Sequence, residues 1–424
     1  MGDEKYSIKT LGAGRYVSPI SEMKFVADDE RICIDPRVKN CCKDGGELAS
    51  FESAGPREKI FFDPKKTRMA IVTCGGLCPG LNDVIRAIVM VSWYRYGVRN
   101  ILGIRYGYAG LNPENGHQPD VLVPDIVEDI HRDGGTILGS SRGPQNPPDV
   151  VDYLEKRKID ILFPIGGDGT QKGALDIAEE IKKRGLNISV VGIPKTIDND
   201  IAFTERTFGF GTAVSAAESA IRAGHMEAKG GLNGLGLIKL MGRDSGFIAA
   251  HAAIASGDSN FVLIPEVPFT LEGFLKALEQ RFENKSHAVV VVAEGAGQNI
   301  VATDGHDKSG NKKLGDIGLF LKSEIAEYFK KMNTPVNIKY IDPSYTIRSV
   351  PANAEDSVFC FQLAENAVHA AMSGRTEMVT GIWNNKFVNV PSKLAVTNRK
   401  NIDADGMLWQ SVLESTGQPH SMCL

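Results

Sequence analysis

Three short segments hold residues whose types and spacing can do chemistry. TCGGLCPGLN (73–82) and FPIGGDGTQKGA (163–174) each place glycines directly after an apolar run and before a helical pattern. Consecutive glycines let backbone N–H groups turn toward a phosphate, and a helix N-terminus adds a favourable field. Gly166, Gly167 and Gly169 permit that approach, but Asp168 among them is unfavourable beside bare phosphate unless a cation lies between. Magnesium is such a cation, and it needs only one or two protein carboxylates. The third segment, IPKTIDNDI (193–201), sets Asp198 and Asp200 around an Asn, with Lys195 just before them. Clustered acids beyond a strand can serve as general base and metal-shell ligand. Each segment also has a plain reading, as a Gly-rich turn or an Asx-rich surface turn without a ligand. The first is not a Walker A loop, because no Gly-Lys-Ser/Thr follows it.

Basic residues occupy further loops. Arg142 lies in LGSSRGPQ, Arg243 beside Asp244 in MGRDSG, and Arg348 in DPSYTIRS. Arginine forks suit phosphate oxygens and developing transition-state charge, although any one of them alone reads as a surface ion pair. The eight histidines show no ligand spacing, and Cys74 and Cys78 lack a second Cys/His pair, so they read as packing or loop residues. No zinc site, GxSxG or Cys/His nucleophile stands out. Together these residues support Mg-assisted phosphoryl transfer to a small acceptor, with Asp198 as the base, and spacing carries the argument no further.

The elements that must position these residues are short β-branched runs alternating with helical stretches. MAIVT (69–73), NILGIR (100–105), DILFPI (160–165), SVVGIP (189–194), LGLIKL (235–240), NFVLIP (260–265) and HAVVVVAE (287–294) read as strands. Continuous apolar strands separated by helices indicate parallel sheets covered on both faces. More strands are present than one sheet usually holds, so two doubly wound α/β domains are expected, with mainly parallel sheets. In such folds ligands bind beyond the carboxyl ends of the strands, where every conspicuous polar motif here falls. Residues 1–66 read as an N-terminal extension, a partly ordered arm, and 297–316 as the most loop-like internal stretch.

Composition agrees with a catalytic globular protein. The chain has 424 residues, 42% hydrophobic and 24% charged, with a net charge of -4, which argues against nucleic-acid binding through bulk charge. No apolar run approaches the ~18 residues of a membrane span, and the polar start is no secretory signal. Seven scattered cysteines form no disulfide framework. A soluble, cytoplasmic protein is expected.

The ordered set TCGGLCPGLN, LGSSRG, GGDGTQKGA, PKTIDNDI, MGRDSGF, IPEVPF, VAEGAG and YIDPSYTIR resembles the 6-phosphofructokinase family over about residues 67–415. It looks closest to the long-chain ATP-dependent branch of trypanosomatids and plants. The resemblance implies transfer of the ATP γ-phosphoryl to the C1 hydroxyl of fructose 6-phosphate, with Mg²⁺. It implies that Gly76, Arg142, Gly167, Gly169, Thr170 and Gly173 line the nucleotide site and that Asp168 sits with the metal. Asp198 would be the catalytic base, supported by Thr196, Lys195 and Asp200, with Arg243 stabilising phosphoryl charge. Met241, Gly242 and Glu294 would contact the sugar, and Lys339, Tyr345 and Arg348 its 6-phosphate. The implied domains are an extension (1–66), a nucleotide-binding domain (67–208 with 348–395) and a sugar-phosphate-binding domain (209–347 with 396–424). A homo-oligomer, as a tetramer, is implied too.

Donor and regulation are read from single positions. Pyrophosphate users of the family carry Asp at position 169, where it would crowd the ATP α-phosphate, so Gly169 favours ATP. Lys195 is shared by pyrophosphate users and by the long ATP-dependent branch, which leaves a pyrophosphate-dependent enzyme as the nearest rival. A non-catalytic regulatory subunit would be expected to have lost Asp198, Asp168 or Arg243, and all three are present. Of the two effector-site arginines of short bacterial relatives, only Arg86 is matched, and Met90 holds the other place.

Overall fold

The computed structural model describes residues 4–20, 24–37, 49–301, 305 and 313–423. Cys41, Cys42, His306 and half of the loop expected at 297–316 lie outside the described residues. In chain order the strands begin with β1 (Arg31–Cys33), β2 (Ser50–Ser53), β3 (Arg68–Thr73), β4 (Asn100–Ile104), β5 (Asp120–Val121), β6 (Ile161–Gly166) and β7 (Ser189–Pro194). They continue with β8 (Gly234–Leu240), β9 (Phe261–Leu263), β10 (His287–Ala293), β11 (Asn337–Ile341), β12 (Met378–Trp383) and β13 (Lys386–Pro391). The helices used below are α1 (Leu81–Val91), α2 (Asp168–Lys183), α3 (Phe210–Lys229) and α4 (Ala354–Met372).

The chain forms two compact units. The first comprises 1–197, 201–209 and 349–398, and the second 198–200, 210–348 and 399–424. The sheet of the first unit runs β1-β2-β13-β12-β7-β6-β3-β4-β5. Its centre, from β12 to β4, is parallel, and its edges are antiparallel. Strand alternation divides the core between two faces. Met69 and Ile71 of β3 join Ile161, Phe163 and Ile165 of β6 beneath α1 and α4, while Ala70 and Val72 face the cluster that includes Leu162, Ala174, Ile177 and Ile181. Both β6 and β7 are buried along their whole length, which is why they read as unbroken apolar runs.

The expected arm is built into this sheet. All four residues of β2 are buried, and Glu52 and Ser53 pair with Asn389 and Val388 of β13. The Glu52 carboxylate accepts from Arg375 Nε at 2.5 Å, Asn389 Nδ2 at 2.6 Å and Arg57 Nη2 at 3.2 Å. Buried charges persist only when paired and hydrogen-bonded, and this cluster satisfies a carboxylate and two guanidinium groups together.

The second unit is built on a parallel four-stranded sheet ordered β9-β10-β8-β11. Leu235, Leu237, Val290 and Val292 pack on one face with Phe274 and Phe329. On the other face α3 comes very close to β8: a Cβ on Gly236 would stand 2.7 Å from the Gly224 carbonyl oxygen. Glycine at both positions removes the side chains that would hold helix and strand apart. Among the described residues, no helix is long and apolar enough to cross a membrane.

Candidate active site

In the first unit the sheet reverses direction between β3 and β6: the chain leaves β3 for β4 on one side and returns to β6 on the other. Such a switch point opens a crevice at the strands' carboxyl ends. The loops after β3, β6 and β7 all begin there and are stitched to one another. Cys74 N donates to Ile165 O at 2.9 Å, Gly75 N to Ser141 O at 3.0 Å, and Lys195 N to Gly166 O at 3.0 Å. The Lys195 ammonium reaches Gly76 O at 2.6 Å. Arg142 lies in the same cluster, with Nη2 only 3.4 Å from where a Cβ on Gly76 would stand. Thr196 accepts on its carbonyl from Thr207 Oγ1 at 2.6 Å.

The glycines of this crevice differ in what surrounds them. A Cβ at Gly166 would meet Thr170 Oγ1 at 2.2 Å, and one at Gly173 would meet the Tyr108 ring at 2.9 Å. At Gly167 the Lys195 carbonyl oxygen is 3.3 Å away, whereas at Gly169 nothing lies within 4 Å. Asp168 opens α2 and bonds Lys172 Nζ at 2.9 Å one turn later. Among the described residues, no group of three or more His, Cys, Asp or Glu is placed to hold a metal ion. A single carboxylate suits a magnesium ion whose remaining ligands are phosphate oxygens and water, so Asp168 fits a metal that arrives with a nucleotide. Cys74 and Cys78 are buried, and burial pushes the Cys74 thiol up to about 12.

The second unit holds the acids. Asn199, between Asp198 and Asp200, adopts φ 56°, a left-handed conformation that Asn tolerates better than most residues. The Asp198 carboxyl is pushed up to about 8, first by burial and then by the negative charges of Asp200 and Glu294. An Arg243 backbone N–H and the Arg399 charge oppose that rise. Burial likewise raises Glu294, against the positive charge of Arg243. These groups come together through the ends of β8 and β10. Glu294 N donates to Leu240 O and Gly295 N to Gly242 O, each at 2.9 Å. Gly242 has φ 129°, and a Cβ on Gly295 would stand 1.9 Å from Arg243 O. Met241 is buried beside them. A cavity of about 430 Å³ opens here, lined by Arg243, Asp244, Gly295, Gln298 and Arg399 among others.

The expected phosphate-pocket residues are more dispersed. Arg348 lies 4.6 Å over the Tyr345 ring, which is 77% exposed, whereas Lys339 on β11 has its ammonium 3.6 Å from Glu227 on α3. Two neighbouring cations escape sequence reasoning. Lys239 bonds Asp342 at 2.9 Å and Asp316 at 3.1 Å, tying β8 to the segment that leads into Tyr345. Arg399 ion-pairs with Asp244 and lies 3.4 Å from Asp200. Lys239 sits inside an apolar strand run, and Arg399 in a polar RKN stretch that looks like any solvated loop.

An α/β fold with phosphate-type loops at a switch point and a separate acid–arginine cluster defines a phosphoryl-transfer class of protein. The phosphofructokinase family model matches residues 68–371, and this chain belongs to that family. It is 55% identical to an ATP-dependent 6-phosphofructokinase of Borreliella burgdorferi over 98% of this chain and 97% of the relative. It is 45% identical to the enzyme of that name from Trypanosoma cruzi, over 97% and 88%. Among solved structures, a pyrophosphate-dependent phosphofructokinase from Marinobacter aquaeolei superposes with a TM-score of 0.69 at 20% identity, covering 84% of this chain and 92% of that one. Phosphofructokinase of Pichia pastoris in the T-state gives 0.64 at 22% identity, covering 83% and 37%.

Proposed function

We propose that this chain is an ATP-dependent 6-phosphofructokinase that transfers the γ-phosphoryl of ATP to the C1 hydroxyl of fructose 6-phosphate. The observation that carries this reading is Asp198, a carboxyl held among Asp200, Glu294 and Arg243 with its pKa raised toward neutrality. A base tuned to the working pH can take the hydroxyl proton as the oxygen attacks. Arg243 then balances charge on the phosphoryl oxygens, since this chemistry needs positioning and neutralised oxygens more than a strong base. Asp200 and Thr196 support the acceptor hydroxyl, and Met241, Gly242 and Glu294 hold the sugar. Lys339, Tyr345 and Arg348 take its 6-phosphate.

Gly76, Arg142, Gly167, Thr170 and Gly173 receive the nucleotide, and the open space over Gly169 leaves room for its α-phosphate. Asp168 holds Mg²⁺, which supplies charge neutralisation to the phosphates. The protein acts as a homotetramer in the cytoplasm. A pyrophosphate donor is the nearest rival: the Lys195 ammonium, bonded into the crevice at Gly76 O, suits either donor and does not separate the two. The deciding assay measures fructose 1,6-bisphosphate formed from fructose 6-phosphate and Mg²⁺ with ATP or pyrophosphate supplied separately. Turnover with ATP alone supports the proposal, turnover with pyrophosphate alone replaces the donor, and silence with both overturns the reading.

A further inference from the structure

Arg399 lies 199 residues beyond Asp200, in the stretch where the chain re-enters the second unit. Two acids share its Nη1 nitrogen: Asp244 in a close ion pair, and Asp200 at 3.4 Å. The backbone repeats the connection. Lys400 N donates to Asp200 O at 2.8 Å, and Ile402 N donates to Glu266 Oε1 at 2.9 Å. That same Glu266 carboxylate accepts Gly246 N, 3.0 Å from each oxygen. Residues 399–402 therefore brace the acid segment on one side and the turn after Arg243 on the other. The Arg399 side chain is also one of the walls of the cavity that Arg243 lines.

We propose that Arg399 is a positioning residue for the reaction, fixing Asp200 and Asp244 so that Asp198 serves as base and Arg243 stays committed to the phosphoryl group. The inference rests on the phosphofructokinase reading above. Four groups face Asp198 in this unit: Asp200 on its own segment, Glu294 after β10, Arg243 after β8, and Arg399. Without Arg399, Asp198, Asp200 and Asp244 would lose the cation they share, Glu294 would keep the positive charges of Lys239 and Arg348, and Asp198 would be left facing Arg243. The Arg243 fork would then be drawn to a carboxylate next to it instead of to substrate oxygens. Asp198 would also become harder to ionise, because a nearby positive charge favours the carboxylate and its loss does the reverse.

The test compares Arg399→Gln, Arg399→Lys and Asp244→Asn with the unaltered protein in pH profiles of kcat/KM for fructose 6-phosphate. The acid limb of that profile reports the base in free enzyme. Arg399→Gln should move the limb up by about one pH unit and lower turnover near pH 7 about tenfold, with most activity recovered above the shifted limb. Arg399→Lys, which keeps the charge, should stay much closer to the unaltered protein. Asp244→Asn leaves Arg399 to Asp200 and should move the limb down. A purely structural brace would instead lower activity equally at every pH, and that result overturns the proposal. So does an Asp244→Asn limb that stays put or rises. Failure of the underlying reading looks different, because the unaltered protein would then form no bisphosphate at all.

Discussion

A carboxyl enclosed by Asp200 and Glu294 is costly to ionise, and the same enclosure makes it a base suited to near-neutral pH. Asp198→Ser should therefore depress kcat to below about 1% while KM for fructose 6-phosphate changes little, as expected when a transition-state group is removed. Stability should respond in the opposite sense. The folded pKa lies above the unfolded value of about 3.9, so ionisation costs the folded state increasingly as pH climbs between those two values. Asp198→Asn removes that cost. Its melting temperature should match the parent near pH 4 and exceed it by a growing margin up to pH 8, where calorimetry across pH would detect the divergence. Gly169 offers a second test at this scale. A Cβ there meets nothing within 4 Å, and an acid in the first turn of α2 is favourable to the helix dipole. Gly169→Asp should thus leave the melting temperature unchanged yet raise KM for ATP at least about tenfold, by placing a charge where the α-phosphate must stand. An unchanged ATP KM would remove Gly169 from the donor-selecting role.

At the scale of elements, seven strands could be read because their apolar runs are continuous, and they are continuous because helices cover both faces. β11 escaped because Asn337 and Lys339 alternate with the apolar residues of NIKYI, and β12 and β13 because Thr380 and Gly381 break the run MVTGIW and Asn389 breaks KFVNVP. Yet Asn384 and Asn385, at φ 48° and 56°, form the left-handed turn that joins those two strands, and an Asn-Asn pair is a readable hairpin signal. The motif residues were legible for a related reason: chemistry clusters at strand ends, and Gly and Asp mark those ends. Ion pairs between distant segments were not legible. Glu52 and Arg375 are 323 residues apart, and neither carries a local pattern that announces the other. Their importance can be measured directly. Glu52→Ala would leave the buried Arg57 and Arg375 sharing Asp28 alone, an exposed carboxylate 3.1 and 2.8 Å from them, so the loss should be about 3 kcal/mol, at the low end for a broken buried pair. The urea midpoint should fall accordingly. An unaffected midpoint would mean that β2 merely covers the sheet and does not hold it.

At the scale of the whole molecule, the donor-type loops and the acid cluster belong to different compact units, so the two substrates should order different parts of the chain. A ligand that binds only the native state stabilises the segments it contacts, and amide hydrogen exchange reports that stabilisation locally. A non-hydrolysable ATP analogue with Mg²⁺ should slow exchange in 74–78, 140–143 and 166–173. These loops are already cross-linked by the hydrogen bonds from Cys74, Gly75 and Lys195, so protection should appear in all three together. Fructose 6-phosphate alone should instead protect 198–200, 241–246 and 294–298. The short helix 344–349, where Tyr345 is largely exposed, should show the greatest change, because a single exposed turn of helix starts with little protection and has the most to gain. Protection of 344–349 by the nucleotide analogue alone would contradict the assignment of Arg348 to the sugar phosphate. Protection of 166–173 by the sugar phosphate alone would contradict that of Asp168 and its glycines to the nucleotide. Because each ligand is added singly, the pattern separates the two substrate assignments without depending on turnover.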